Sequence, residues 1–255
     1  MSAHPRQAQR QTKASSSQLP KNWPPDIVYL TTLHIPPPLS SSVLEVIAAP
    51  TGFSTANSLP IIKPQAIISP NPLVRITPIT SPSHPAQGQY GLFSTRALPP
   101  SSFVILYLGT LHGPAQPPDT STDEADSQTS QNATASSSSS TSTPPSPDST
   151  YATSNYDLSL DRDLDLAIDA SKCGNEARFI NDYRGIRPAG PNAEFRDCLV
   201  QVGGPGTGTG KLEKRIGVFV LSAGKNGGPR AKGIGKGEEI VVSYGKGFWN
   251  ARKDE

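Results

Sequence analysis

From Leu73 onward the apolar residues of this chain come in short runs typical of β-strands, and helical periodicity is nearly absent. The first runs are LVRIT at 73–77, YGLFST at 90–95 and FVILYLGTL at 103–111. The third is nearly continuous in apolarity, which predicts one strand buried on both faces. A fold of this kind is mostly β.

The second half of the chain continues in the same way. Apolar residues alternate with polar ones on either side of Asp161–Asp163, which predicts a hairpin, and two apolar runs flank the glycine-rich segment 203–210, which predicts another. EIVVSY at 239–244 reads as a final strand. We expect one short helix, around residues 175–180. The sequence therefore predicts a mostly β fold of small twisted sheets.

The composition limits how much of the chain can form a core. Apolar residues make up 34% of the sequence, and 27 prolines and long Ser/Thr/Pro tracts interrupt them. Segments with little to bury do not offset the conformational entropy lost on ordering. We expect one domain at 73–250 with a dispensable low-complexity insertion at 113–150. A disordered tail at 1–25, a Pro-rich N-terminal extension at 26–72 and a C-terminal tail at 251–255 complete the chain.

Charge and cysteine content exclude several functions. A net charge of +2 gives no argument for a nucleic-acid or membrane surface, and no apolar segment directs the chain to secretion. Two cysteines, Cys173 and Cys198, are too few for a structural zinc cluster, so we expect no metal. The four histidines lie in loops or tails without paired spacing, and we expect them to be solvent-exposed: His4, His34, His84 and His112.

Three motifs occur in a fixed order along the chain: YGLFSTRALPP at 90–100, IDASKCGNEARFIND at 168–182 and GEEIVVSYG at 237–245. In this order they resemble the SET-domain protein lysine methyltransferases. The resemblance implies the SET β-clip fold, with a knot-like C-terminal arrangement. It also implies S-adenosylmethionine as the cofactor and methyl transfer from it to a lysine of a protein.

The resemblance assigns a cofactor site position by position. Asn181 takes the place of the asparagine that meets the cofactor in the family, while Asp182 stands where the family has a histidine. Gln89 and Thr110 are further departures, at a loop glycine and at a glutamate of the family pattern. The implied cofactor-binding residues are Gly91, Leu92, Phe93, Tyr107, Arg178, Phe179, Asn181, Asp182 and Trp249.

The resemblance also assigns the residues that handle the lysine. Tyr244 would orient the amine and stabilise the methyl group during transfer, and Tyr156 would line the lysine channel. Val242 stands where members of the family carry a Phe or Tyr that limits the number of methyl groups added. The smaller valine leaves more room, which favours more than one transfer per lysine. Phe248, next to Trp249, would close the channel or the adenine site. An apolar channel favours the uncharged amine that the reaction needs.

The implied partners are histone tails or other lysine-bearing proteins, with the nucleus as the implied location and the cytoplasm as the alternative. No nucleic-acid site and no membrane contact is expected. The departures at Gln89, Thr110 and Asp182 leave a second hypothesis open, a SET module without activity that binds a chromatin or ribosomal partner. GGPGTGTGK at 203–211 resembles a phosphate loop but lacks its first glycine and its Ser/Thr. Adjacent Glu238 and Glu239 favour a structural role over acid–base catalysis.

Overall fold

The computed structural model describes residues 19–36, 47–48, 59–113, 151, 154–202, 211–224 and 229–250. The strands are β1 Val28–Tyr29, β2 Ile61–Ile62, β3 Val74–Pro78, β4 Tyr90–Ser94, β5 Phe103–Leu106, β6 Thr110–His112, β7 Asp157–Asp161, β8 Leu166–Asp169, β9 Cys173–Gly174, β10 Asn181–Asp182, β11 Ala193–Val202, β12 Lys211–Val220 and β13 Val241–Val242. Short 3₁₀ helices cover Pro64–Ala66, Glu176–Phe179 and Pro229–Lys232, and an α-helix covers Gly245–Asn250.

The strands form several small sheets rather than one large sheet. The largest has the order β2-β11-β12-β5, a second has the order β6-β8-β7, and the pairs β3-β4, β1-β9 and β10-β13 complete the set. Both predicted hairpins are confirmed: β7 and β8 are antiparallel, and so are β11 and β12, where Ala193 pairs with Val220. The predicted class, mostly β with small sheets, is confirmed, as is the short helix around 175–180.

The run 103–111 is not one strand, as the sequence predicted, but two. β5 pairs with β12 in the largest sheet, and β6 pairs with β8 in another. The chain changes sheets at residues 107–109, where Gly109 packs directly on the backbone of Asp169. A Cβ atom on Gly109 would lie 2.2 Å from the Asp169 carbonyl oxygen, so only glycine fits. The continuous apolarity is therefore shared between two sheets.

The C-terminal strand is enclosed by an earlier part of the chain. β13 lies parallel to β10, with Asn181 opposite Val241. A few residues further along, the backbone N–H of Asn192 donates to the carbonyl of Val241 (3.1 Å), and the Asn192 side chain accepts from the Val241 N–H (2.9 Å). Segment 181–192 thus wraps around β13. This is the knot-like arrangement that the resemblance implied.

The small sheets share one apolar core. Its fully buried side chains include Leu92 of β4, Ile168 of β8, Val218 of β12 and Val242 of β13. Burying a side chain of this size contributes about 1.5–3 kcal/mol to the stability of the fold. The core therefore holds together sheets whose strands do not pair with one another. Strands β1 and β2, from the N-terminal extension, pair with β9 and β11. Among the described residues, none of the helices has the length and apolarity needed to span a membrane.

Candidate active site

Two adjoining cavities open beside the enclosed C-terminal strand. The larger has a volume of about 530 Å³ and is lined by the turn before β4, the 3₁₀ helix Glu176–Phe179 with β10, and the C-terminal helix. The smaller, of about 380 Å³, is lined mainly by β7 and the residues before it. Five residues line both cavities and form the wall between them: Asn155, Tyr156, Arg178, Tyr244 and Phe248.

Most of the residues that the sequence assigned to the site lie together on the larger cavity: Tyr156, Arg178, Phe179, Asn181, Asp182, Tyr244, Phe248 and Trp249. Tyr107 lies on the smaller cavity instead. Gly91, Leu92, Phe93 and Val242 line neither cavity. The structure therefore brings together residues that are far apart in sequence, from Tyr156 to Trp249.

The exceptions have a packing reason. Leu92 and Val242 are completely buried in the core, and a Cβ on Gly91 would meet the Glu239 carboxylate at 2.6 Å. The chain lines the larger cavity one turn earlier, with Gly88, Gln89 and Tyr90. Gly88 has a φ of 80°, a conformation that glycine adopts without strain. The loop and the first residue of β4 therefore line the cavity, whereas residues 91–93 do not.

Tyr244 is held by two hydrogen bonds at the wall between the cavities. Its hydroxyl donates to the carbonyl of Ile180 (2.7 Å), and its backbone N–H donates to the carboxylate of Asp182 (2.7 Å). Burial, and then the negative charge of Asp182, raise the pKa of the Tyr244 hydroxyl well above its usual value. The hydroxyl is therefore neutral at physiological pH. Because its hydrogen is directed to Ile180, its oxygen is available as an acceptor.

Tyr156 is fixed from both sides. The hydroxyl of the buried Tyr107 donates to the backbone carbonyl of Tyr156 (2.5 Å), and burial raises the pKa of that hydroxyl. The guanidinium of Arg178 lies 4.5 Å from the centre of the Tyr156 ring, and its Nε donates to the carbonyl of Ala170 (3.0 Å). This cation–π contact fixes the ring plane. Tyr107 thus supports Tyr156 from the smaller cavity.

Asp182 connects three parts of the site. Its side chain is only 6% exposed. The carboxylate accepts from the Tyr244 N–H, from the indole Nε1 of Trp249 (3.3 Å), and from the backbone and guanidinium of Arg184 (2.9 and 2.8 Å). Such a buried carboxylate is fully paired. It attaches the C-terminal helix to β10.

Sequence reasoning expected a structural role for Glu239 but missed its pairing with His84, behind the larger cavity. The His84 side chain is 11% exposed, and its Nε2 lies 2.9 Å from Glu239, 155 residues later in the chain. Glu239 in turn accepts from the side chain of Asn181 (2.9 Å). The expectation of an exposed His84 is wrong, and no local pattern could have revealed a pair so distant in sequence.

The same expectation is wrong for His112. Its side chain is 17% exposed, its Nε2 lies 2.8 Å from Asp157, and its ring stacks on Tyr151 with a centroid distance of 4.0 Å. Asp157 and Tyr151 both line the smaller cavity. Among the described residues there is no group of three or more His, Cys, Asp or Glu that could hold a metal ion.

Comparison with known proteins gives distant structural matches. No family model and no curated protein matches the chain. Three of the solved structures that match are of Polycomb Repressive Complex 2 from Chaetomium thermophilum. One is a crystal structure of the complex (20% identity, TM-score 0.37), one is the complex bound to GSK126 (18%, 0.40), and one is a humanized mutant bound to GSK343 (19%, 0.38).

The matches cover 68%, 71% and 68% of this chain, but only 15%, 17% and 15% of the chains that they match. The chain therefore spans less than a fifth of the length of these relatives. At such identities and TM-scores, function has to be argued from the site.

Proposed function

We propose that this protein is a SET-type protein-lysine N-methyltransferase that uses S-adenosylmethionine. The observation that carries the proposal is the pair of cavities that meet at Tyr156 and Tyr244. Methyl transfer is an in-line displacement at carbon, in which the donor and the acceptor approach from opposite sides. Holding the two groups in line lowers the activation barrier by several kcal/mol. Two cavities with a common wall suit that requirement.

The larger cavity fits the cofactor in size and in chemistry. Its volume of about 530 Å³ lies within the range of about 300–1,000 Å³ of small-molecule sites. Tyr90, Phe179 and Trp249 offer aromatic surface for a purine. Asn181 and Arg184 offer an amide and a cation for the amino-acid part. When bound, the cofactor would supply a methyl group on a positively charged sulfur.

The smaller cavity fits the lysine side chain. Tyr107, Tyr151 and Phe195 line it together with the shared Tyr156 and Tyr244. Aromatic walls remove water from an amine, which lowers its pKa from the reference value of about 10.4 and favours the nucleophilic form. The Tyr244 oxygen, whose hydrogen is bonded to Ile180, can accept a hydrogen bond from this amine. Tyr244 would therefore orient the nitrogen without ionising.

We extend the proposal to the substrate class, histone tails, and to the nucleus as the location. Both rest on the sequence resemblance. The chemistry of the smaller cavity is compatible with a basic peptide, because Asp157 lies in its wall. The competing hypothesis is a SET module that binds a chromatin or ribosomal partner without turnover. It differs from the proposal in one measurable property, binding of the cofactor.

Titration calorimetry with S-adenosylmethionine and with S-adenosylhomocysteine tests the proposal first. Saturable binding at micromolar concentrations is the expected result, and Trp249→Ala should weaken it. Leu164→Ala is the matched control, because Leu164 is 38% exposed and Trp249 39%, and Leu164 lines neither cavity. Methyl transfer to histone peptides is then measured on an array. A folded protein that binds neither compound at millimolar concentration would refute the proposal and favour the inactive module.

A further inference from the structure

The turn between β3 and β4 forms one wall of the larger cavity, through four residues between 85 and 89. Two backbone hydrogen bonds close its base, from the Ile79 N–H to the Gln89 carbonyl (2.8 Å) and from the Gly88 N–H to the Ile79 carbonyl (3.0 Å). His84 lies within this turn and connects it to the residue two positions before β13. The position of the wall therefore depends on a side-chain contact as well as on the backbone.

The hydrogen bonds of His84 fix which ring nitrogen carries the hydrogen. Nδ1 accepts from the backbone N–H of Ala86 (3.0 Å), so Nδ1 cannot itself carry a hydrogen. The neutral ring then has its hydrogen on Nε2, which donates to Oε2 of Glu239 (2.9 Å). Both ring nitrogens of His84 make hydrogen bonds. Moving the hydrogen from Nε2 to Nδ1 would therefore break the bond from Ala86 within the turn.

Glu239 connects His84 to Asn181 through a second hydrogen bond. Its side chain is 9% exposed, and its second oxygen, Oε1, accepts from Nδ2 of Asn181 (2.9 Å). The same Nδ2 donates to the carbonyl of Tyr90 (3.3 Å). Gly91 leaves the space that the carboxylate occupies, because a Cβ there would lie 2.6 Å from Oε1. The amide nitrogen of Asn181 thus donates to two protein acceptors, and its Oδ1 is the atom available to accept from a ligand.

We infer that His84 and Glu239 are positioning residues for the cofactor site, and that they act by presenting Oδ1 of Asn181 to the ammonium group of the cofactor's amino-acid part. The inference rests on the proposed function and adds a specificity element to it. Reversing the Asn181 amide would put an N–H₂ group against an ammonium, which is a donor facing a donor. The contacts behind the cavity therefore select for a ligand with a cationic amine at this point.

Three ligands and three variants test the inference by calorimetry on the full chain. S-adenosylmethionine and S-adenosylhomocysteine carry the ammonium, and methylthioadenosine lacks the amino-acid part. His84→Leu removes the donor to Glu239, and His84→Gln restores one with its amide. His112→Leu is the matched control, because it breaks a histidine–carboxylate pair of similar length at the other cavity.

We expect His84→Leu to weaken binding of S-adenosylmethionine and S-adenosylhomocysteine about tenfold or more. Binding of methylthioadenosine should change less than twofold, His84→Gln should recover most of the loss, and His112→Leu should leave all three affinities unchanged. An equal loss for all three ligands would show a general structural role and overturn the inference, as would no loss. If the parent protein binds none of the ligands, the proposed function fails and the inference fails with it.

A second measurement does not depend on cofactor binding. Long-range ¹H–¹⁵N spectra of the ligand-free protein near neutral pH report the state of each histidine ring. We expect His84 to show a single tautomer with the hydrogen on Nε2. A His84 ring that averages between forms would contradict the fixed hydrogen-bond direction and would overturn the inference even if binding is measured.

Discussion

Replacing Asp182 by asparagine should destabilise the protein, although the two side chains have the same shape. The carboxylate accepts hydrogen bonds at both oxygens, and asparagine replaces one oxygen by an N–H₂ group that faces donors. Losing the charge-assisted bond to the Tyr244 N–H costs about 1.5–3 kcal/mol. The pair with Arg184, which is 39% exposed, adds at most about 1 kcal/mol. We therefore expect a loss of about 1.5–4 kcal/mol in the free energy of unfolding.

Urea unfolding followed by tryptophan fluorescence measures this loss. Trp249 is a useful probe because its indole donates to the same carboxylate. Asp163→Asn, at an exposed position of the β7–β8 turn, is the control, because it removes the same charge. Its stability should stay within about 0.5 kcal/mol of the parent. An Asp182→Asn variant as stable as this control would refute the argument that Asp182 attaches the C-terminal helix to β10.

Other predictions concern catalysis, packing and ionisation. Tyr244→Phe should lower the rate of methyl transfer by about 10²–10³-fold while cofactor affinity is kept; equal rates in a radiometric assay would remove Tyr244 from the mechanism. Gly109→Ala should cost about 3 kcal/mol or more, because its Cβ would meet the Asp169 backbone at 2.2 Å. Gly247→Ala, with nothing within 4 Å, should be neutral or slightly stabilising in thermal unfolding, and a similar loss in both variants would contradict the packing argument. Burial raises the pKa of Cys198 to about 12, so at pH 8 this thiol should react with dithionitrobenzoate only after unfolding; a fast reaction of the native protein would disprove its burial. The raised pKa of Tyr244 stabilises the fold below the unfolded value of about 10, so its contribution to unfolding free energy should fall as pH rises above 10 and should be absent in Tyr244→Phe.

Local patterns predicted the elements whose contacts are local. The β7–β8 and β11–β12 hairpins could be recognised because each pairs neighbouring segments across a turn. The division of the run at 103–111 could not, because it depends on the distant Asp169 backbone against Gly109. The helix Gly245–Asn250 was also missed, since two of its six residues are glycines and its sequence has no amphipathic period.

The candidate site shows the same limit. Ordered motifs assigned Asn181 and Tyr244 in advance, and both lie on the larger cavity. The motifs did not reveal the pairing of His84 with Glu239, because it exists only after the turn before β4 and the residues before β13 have come together. Val242 lies in the motif but faces the core, because β13 is enclosed by segment 181–192. Its effect on the number of methyl groups stays a prediction.

The ring stack between His112 and Tyr151 has a consequence for how this protein could vary. The chain leaves β6 and returns at one point beside the smaller cavity, because the two rings are 4.0 Å apart. Because Tyr151 lines the smaller cavity and His112 does not, His112 holds one wall residue of that cavity in place. A substitution at position 112 would therefore change the shape of the smaller cavity without altering any residue that lines it.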